Sequence, residues 1–186
     1  NQTHSSKVIR INKNNLNKTT NADGMITSLK DVALGVLTAD CAPIFIYDNK
    51  KKFICSLHSG WRGTLNNISK NAVKIFKKNN IKSTELIAII GPCLGAKNYE
   101  VGNDFKRNFI KKNFEYSKFF RSKNKTKSFF NLRGVIVYQL QQLGLKKIHH
   151  INRDTYDNES LFFSHRRSIH KGIKSSARLI NIISLT

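Results

Sequence analysis

Acidic residues are scarce in this chain of 186 residues. Only 11 Asp and Glu stand against 33 Lys and Arg, which gives a formal net charge of +22 at pH 7. Such a charge is typical of proteins that bind nucleic acid, so a basic nucleic-acid-binding module is one interpretation. The cations, however, lie in scattered clusters such as Lys50–Lys52, Lys77–Lys78 and Lys111–Lys112. Because no basic stripe with stacking aromatics accompanies them, we predict no specific nucleic-acid partner.

Long apolar runs and a leader are also absent. No stretch approaches the roughly 20 apolar residues that a membrane span needs. The longest runs, such as Leu86–Ile90, have the length of a strand. Three cysteines, an odd number, do not form the framework of a disulfide-rich secreted domain. Reduced thiols and the missing leader together predict a cytoplasmic protein without membrane attachment.

Internal repeats and linkers rich in Pro, Gly or Ser are missing too, so we predict a single domain over residues 1–186. Apolar residues make up 39% of the chain and include 12 Phe. This content excludes collagen-like, coiled-coil and wholly disordered chains and is enough for a packed core.

Short apolar runs bounded by turn residues predict strands. These runs are Met25–Leu29, Val32–Leu37, Ile44–Tyr47, Phe53–His58, Leu86–Ile90, Ile148–Ile151 and Leu179–Ser184. Apolar residues at helical spacing predict three helices: Thr64–Asn79 with Thr64 as its cap, Asp104–Lys112, and Leu132–Leu143 ended by Gly144. The polar stretches Asn12–Asn21 and Lys118–Lys127 are predicted loops, and Asp48–Lys52 a hairpin turn. Because the first four strands run together, we predict an α+β fold with mixed sheets.

Polar and glycine-rich residues are concentrated in Thr38–Pro43, His58–Thr64 and Gly91–Gly95. Each follows a predicted strand, where functional side chains often project from turns. In the second segment, Arg62 and the N–H groups after Gly63 could hold a phosphate. Taken singly, a Cys, a His or a glycine turn is most often structural. We interpret Cys55, Cys93 and Trp61 as packing residues, and His149, His150 and His170 as structural or solvated.

His4, Cys41 and His58 together admit two kinds of chemistry. Two imidazoles and one thiolate suit a zinc site with three protein ligands and an open fourth position. Cys41 and His58 are equally the pair that a thiol hydrolase would need. The spacing of the three residues along the chain does not decide between these alternatives.

A series of motifs spans nearly the whole chain. In order they are Gln2-Thr3-His4-Ser5, Asp23-Gly24-Met25-Ile26-Thr27, Thr38-Ala39-Asp40-Cys41, His58-Ser59-Gly60-Trp61-Arg62-Gly63-Thr64, Gly91-Pro92-Cys93-Leu94-Gly95, Tyr99-Glu100-Val101-Gly102 and Phe162-Phe163-Ser164-His165-Arg166-Arg167. In this order they resemble the YfiH / laccase-domain family. Its members were once called multicopper polyphenol oxidases and are now regarded as purine nucleoside phosphorylases.

The resemblance implies a four-layer α/β/β/α fold and a zinc ion bound by His4, Cys41 and His58. It implies phosphorolysis of adenosine, inosine and S-methyl-5'-thioadenosine to the free base and ribose 1-phosphate, with adenosine deaminase activity alongside. Nucleoside and phosphate are then the partners, and Arg62, with Asp40 beside the site, is the residue expected to contact phosphate or ribose. Copper-dependent oxidation of phenols is the older alternative. It is weaker because a multicopper oxidase needs many His ligands and this chain has six His.

The chain departs from the family pattern in three places. It lacks the N-terminal region that family members carry before Gln-x-His, it has Asp154-Thr155 where many have Cys-Thr, and His165 replaces a commoner Tyr. The preferred nucleoside, the oligomeric state and the role of His165 are open at this level.

Overall fold

The structure, a computed structural model, describes residues 1–50, 52–174 and 177–185. The strands are β1 Val8–Arg10, β2 Gly24–Thr27, β3 Ala33–Thr38, β4 Ala42–Asp48, β5 Ile54–Ser59, β6 Leu86–Ile90, β7 Glu100–Gly102, β8 Phe120–Ser122, β9 Lys127–Phe130, β10 Lys147–His150 and β11 Leu179–Ser184. The α-helices are α1 Trp61–Leu65, α2 Ile68–Lys78, α3 Asn103–Lys112, α4 Leu132–Gln142 and α5 His165–His170. Short 3₁₀ helices lie at Ser83–Glu85 and Phe114–Phe119.

The main sheet has six strands in the order β1-β2-β5-β4-β6-β10. Its outer pairs, β1 with β2 and β6 with β10, are parallel, whereas the central pairs are antiparallel. Every residue of β5 is buried, so this strand is covered on both faces of the sheet. The predicted α+β class with mixed sheets is confirmed.

One face of the main sheet is covered by α2 and α4. The apolar stripe of α2 recurs at helical spacing and is fully buried, as is the corresponding stripe of α4. Side chains of β4, β5 and β6 complete this large core. Because strand side chains alternate between faces, Cys55 and Leu57 of β5 point into this core and Ile54 and His58 lie on the opposite side.

The opposite face is covered by a small second sheet in which β3 and β11 pair antiparallel. Leu34, Ile54 and Leu185 are the buried residues of this second cluster. The outward side of the β3–β11 sheet is apolar and open to solvent: Leu37, Ile180 and Ile182 are 48%, 65% and 54% exposed. Helices, main sheet and second sheet are therefore stacked in that order.

A third sheet, in the order β7-β9-β8, packs against α3. Aromatic rings fill the space between them, with Phe105, Phe109, Phe120 and Phe130 in mutual contact. The predicted loop over Lys118–Lys127 is wrong, because this segment contains β8 and the first residue of β9. The many Lys and Arg residues of this segment suggested a solvated loop, but Phe120 stacks on Phe130 and anchors the segment. Lys side chains can remain in water while the backbone forms a strand.

The predicted strands of the main sheet, β3 and β11 are confirmed, as are the helices at α3 and α4. The segment Asn12–Asn21 lacks helix and strand, as predicted, and Asp48 begins the predicted turn, of which Lys51 lies outside the described residues. The predicted helix from Thr64 to Asn79 is wrong at its start. The helical path is interrupted at Asn67, which has a left-handed backbone with φ of 52°. The side chain of Asn67 caps the start of α2. Thr64 is buried in α1, where its hydroxyl shares a 2.8 Å hydrogen bond with Ser59.

Candidate metal centre

Three side chains with metal-binding atoms converge where the second sheet meets the main sheet. His4 belongs to the segment before β1, Cys41 lies between β3 and β4, and His58 is in β5. Their candidate ligand atoms all lie within 4.8 Å of one another. The register of β4 and β5 brings Cys41 there, because Pro43 lies opposite His58. The His4 and His58 rings meet edge to face, with centroids 4.8 Å apart.

Two residues of this centre have an uncommon left-handed backbone. His4 has a φ of 58° and Asp40, the neighbour of Cys41, a φ of 80°. Such conformations cost non-glycine residues free energy and persist where surrounding contacts hold them. For Asp40 those contacts are its carboxylate bonds: one oxygen accepts from the Thr155 hydroxyl and the other from the Arg166 N–H, each at 2.6 Å.

Asp23, immediately before β2, holds His4 and His58 together. Its carboxylate accepts backbone N–H groups of Thr3 at 3.1 Å, His4 at 2.9 Å and Ser5 at 2.6 Å. The same carboxylate lies 2.8 Å from His58 Nδ1. One buried group therefore fixes both the left-handed turn that carries His4 and the ring of His58.

Electrostatics favour a neutral His58 facing an ionised Asp23. Burial raises the pKa of Asp23, but hydrogen bonds from Ser5, His58 and the backbone outweigh burial and hold this pKa at about 2. Burial lowers the pKa of His58 despite its bond to Asp23. The neutral ring therefore donates Nδ1–H to the carboxylate and presents the lone pair of Nε2, which is how carboxylates orient metal-binding histidines.

The Cys41 thiol is in the protonated state in the absence of a cation. Burial, and then the neighbouring Asp40 charge, raise its pKa to about 12. A thiol of this kind gives up its proton when a metal ion takes the proton's place. Cys41 is half-buried, whereas Cys55 and Cys93 are fully buried, and none of these three described cysteines forms a disulfide. Burial also raises the pKa values of Cys55 and Cys93.

The absence of a side chain at Gly60 leaves room for the cluster. A Cβ at this position would lie 2.8 Å from Cys41 Sγ and 3.3 Å from His4 Cδ2. The backbone of Gly60 is extended, with φ of −75°, so another residue could adopt this conformation. Space for the ligands is the reason for glycine here. One thiol and two imidazoles, with no side chain at Gly60 to crowd them, form a group that could hold a metal ion.

The fourth residue of the predicted site, Arg62, lies in α1 and is not part of the His4–Cys41–His58 group. It is exposed, and its guanidinium stacks on the ring of Trp61 at 5.0 Å. Trp61 in turn contacts Phe105, with ring centroids 5.2 Å apart. A cavity of about 650 Å³ opens beside the cluster and is lined by His4, Cys41 and His58 but not by Arg62.

Comparison with known proteins identifies the family of the chain. A family model described as multi-copper polyphenol oxidoreductase laccase matches residues 1–186. The chain belongs to this family. The resemblance to the YfiH / laccase-domain family is thereby confirmed.

Relatives and solved structures of the laccase family agree over most of the chain. It is 33% identical over 184 residues to the purine nucleoside phosphorylase RP494 of Rickettsia prowazekii, covering 98% of this chain and 75% of that protein. It is 33% identical over 186 residues to the purine nucleoside phosphorylase Cj1217c of Campylobacter jejuni, covering 99% and 75%. The crystal structure of NMB0706 from Neisseria meningitidis superposes with a TM-score of 0.89 at 27% identity, covering 99% of this chain and 72% of that one. YfiH of Bacillus licheniformis has the same fold, with a TM-score of 0.90 at 24% identity, covering 100% and 72%.

Sequence analysis did not identify the residues that support the candidate cluster without belonging to it. Asp23 and Gly60 belong to motifs that the sequence displays, but neither motif indicates a contact with His4 or Cys41. Arg178 also lines the cavity and lies in no recognised motif.

In the described part of the chain, no helix is long and apolar enough to cross a membrane.

Proposed function

We propose that the chain is a zinc-dependent purine nucleoside phosphorylase. Its substrates are adenosine, inosine or S-methyl-5'-thioadenosine together with phosphate, and deamination of adenosine is a second reaction. The observation that carries the proposal is the His4–Cys41–His58 cluster beside a cavity, in a chain whose relatives are named purine nucleoside phosphorylases. The reaction takes place in the cytoplasm, where unpaired thiols stay reduced.

Zinc suits the donor set better than copper does. A thiolate and two imidazoles are typical of zinc, and three protein ligands leave a position for water or substrate. Among the residues that the structure describes, this is the one group of His, Cys, Asp and Glu close enough to hold a metal ion. A bound zinc ion supplies Lewis acidity, which polarises an oxygen or nitrogen of the substrate.

The chain's own groups prepare this centre for the reaction. Asp23 keeps the Nδ1 proton on His58, so that Nε2 is available without a change of tautomer. Asp40 fixes the turn that presents Cys41. Arg62, exposed on Trp61, contacts the nucleoside or phosphate from outside the cavity.

In phosphorolysis, an oxygen of hydrogen phosphate forms a bond to the anomeric carbon of ribose while the glycosidic bond breaks. The purine leaves with the bonding electron pair, and the proton of hydrogen phosphate ends on the purine nitrogen. The products are the free base and ribose 1-phosphate. Deamination consumes water instead and converts adenosine into inosine and ammonia, so the two reactions differ in their need for phosphate.

The test is product chromatography with the purified full-length protein, its zinc content measured by mass spectrometry. Adenosine and inosine are each supplied with and without phosphate. Phosphate-dependent release of adenine and hypoxanthine supports the phosphorylase, and phosphate-independent inosine supports the deaminase. A folded, zinc-loaded protein that yields none of these products contradicts the proposal.

Two cysteine variants make this test specific for the cluster. Cys41→Ser should lose zinc and turnover together. Cys55→Ala should retain both, because Cys55 faces the helix-covered core on the same sheet. A Cys41→Ser protein with full zinc occupancy and full turnover would overturn the assignment of the ligands. Iodoacetamide inactivation without loss of zinc would favour a thiol hydrolase instead.

The description of the matching family favours a copper-dependent polyphenol oxidase as a second candidate. Oxygen consumption with a phenol substrate, measured on copper-loaded and zinc-loaded protein, separates the two candidates. Oxygen uptake that requires copper and exceeds nucleoside turnover would favour the oxidase.

A further inference from the structure

Two basic side chains line the cavity beside the candidate metal cluster. His165 and Arg178 line it together with His4, Cys41 and His58. The other lining residues are apolar or uncharged: Asn1, Gln2, Ile9, Thr20, Ala22, Met25, Gly35, Leu37 and Ala39. Among the described residues of this lining none is acidic, so the cavity suits an anion.

The fold fixes both side chains close to the Cys41 turn. Leu179 of β11 lies opposite Thr38 of β3, so Arg178 lies alongside the residues that lead from β3 to Cys41. His165 begins α5, and the next residue of that helix donates its backbone N–H to the Asp40 carboxylate at 2.6 Å. Two segments from the end of the chain are therefore attached to Thr38 and Asp40, which lead directly into Cys41.

Arg178 lines the same cavity as all three metal-ligand candidates. An anion held by its guanidinium would therefore occupy the space that opens beside the candidate metal centre.

We propose that Arg178 and His165 form the phosphate subsite of this cavity. The inference rests on the proposed function, which requires phosphate close to the ribose carbon. The planar guanidinium of Arg178 can donate two parallel hydrogen bonds to phosphate oxygens, and the His165 imidazole adds another donor. Arg62, which lies outside the cavity, is then left to contact the nucleoside. The subsite holds phosphate so that one oxygen faces the anomeric carbon as the glycosidic bond breaks.

Steady-state kinetics of inosine phosphorolysis with the zinc-loaded, full-length protein test the subsite. Arg178→Gln should raise the KM for phosphate by about 10-fold or more, since a charge-assisted bidentate contact is lost. The KM for inosine should stay within about twofold. Arg178→Lys should recover part of the loss, because charge returns without the planar fork. His165→Gln should have a smaller effect in the same direction. Arg121→Gln is the matched control, because Arg121 is an exposed arginine stacked on Phe129 in the third sheet.

A second measurement does not depend on turnover. Inorganic phosphate should raise the thermal unfolding temperature of the zinc-loaded protein, and this rise should be lost in Arg178→Gln and kept in Arg121→Gln. If the unsubstituted protein binds phosphate through Arg178 but releases no base, the phosphorylase proposal fails and the anion subsite is supported. If the protein does release base, and Arg178→Gln and His165→Gln leave both the KM for phosphate and the phosphate-induced stabilisation unchanged, the subsite is overturned.

Discussion

The helix-covered face of the main sheet and the face beneath the β3–β11 sheet differ in what they bury. On the first face, α2 and α4 close over a large apolar core that includes Phe76 and Leu57. On the second face, the buried apolar cluster consists of Leu34, Ile54 and Leu185, and the space beside it is a cavity with titratable walls.

One face of the main sheet therefore contributes mainly to stability, whereas the other carries the candidate functional groups. Dispersion and the hydrophobic effect stabilise the helix-covered face and need no particular polar contact. The second face depends on a few directional hydrogen bonds to Asp23 and Asp40 and on two left-handed residues. The strand β5 belongs to both, with Cys55 on one side and His58 on the other.

The largest expected change in stability is on the helix-covered side. Phe76→Ala should lower the free energy of unfolding by about 3–5 kcal/mol, since it leaves a cavity in the fully buried core between α2 and the main sheet. Metal affinity measured well below the unfolding temperature should be unchanged. Urea denaturation and chelator competition measure the two quantities. Phe114→Ala is the control, because Phe114 is 75% exposed, and an equal loss of stability in both variants would contradict this account of the core.

A methyl group at Gly60 should weaken metal binding more than it lowers the free energy of unfolding. Gly60→Ala places a Cβ against Cys41 and His4 and should weaken metal affinity by about 10- to 100-fold, the cost of forcing packed groups apart. Chelator competition measures this change.

Gly102→Ala is the matched control for Gly60→Ala. Both glycines have an extended backbone and immediately precede a helix. A Cβ at Gly102 would meet nothing within 4 Å. If the two variants bound metal equally well, the close approach at Gly60 would not limit the site.

Replacing the carboxylate of Asp23 tests whether hydrogen bonds preorganise the cluster. Asp23→Asn should weaken metal affinity by about 10- to 100-fold, the usual effect of losing a group that orients a metal-binding histidine. Cobalt substitution should still show a thiolate absorption band, because Cys41 is untouched. Asp104→Asn, at a side chain that is 89% exposed, should leave affinity unaltered. Full affinity in Asp23→Asn would mean that the strand alone positions His58.

The smallest effect is expected on the outward side of the second sheet. Ile180→Thr removes apolar surface that is already exposed, and the free energy of unfolding should change by no more than about 0.5 kcal/mol. Ile183→Thr, on the inward side of β11 against the small cluster, should destabilise more. Thermal unfolding of the two variants compares the two sides of the sheet. A larger loss of stability in Ile180→Thr than in Ile183→Thr would show that the outward side is covered in solution.

Much of the fold was predictable because hydrophobic periodicity is a local property. The strands from Met25 to His58 and the helix at Leu132 follow from residues within a few positions of each other. The helix start at Thr64 was predicted wrongly because two signals compete there. A threonine is a good cap in isolation, but its hydroxyl bonds Ser59 in the interior, and Asn67 takes the capping role.

The types of group in the candidate site were also predictable, whereas their supports were not. His4, Cys41 and His58 stand in motifs that resemble a family's metal-binding residues, so chemistry and resemblance point to the same set. Asp23 accepts from residues about 20 positions earlier and 35 positions later. No local pattern encodes such a contact.

By itself, the sequence determined most of the strands and helices, that a large core forms, and which side chains are capable of holding a metal ion. These properties depend on side-chain chemistry and short-range spacing. Only the tertiary structure decided that Asp23 orients His58, that Gly60 leaves room for Cys41, and that Arg178 rather than Arg62 lines the cavity. Those contacts join residues that are distant along the chain, and their geometry exists only once the two sheets have packed together.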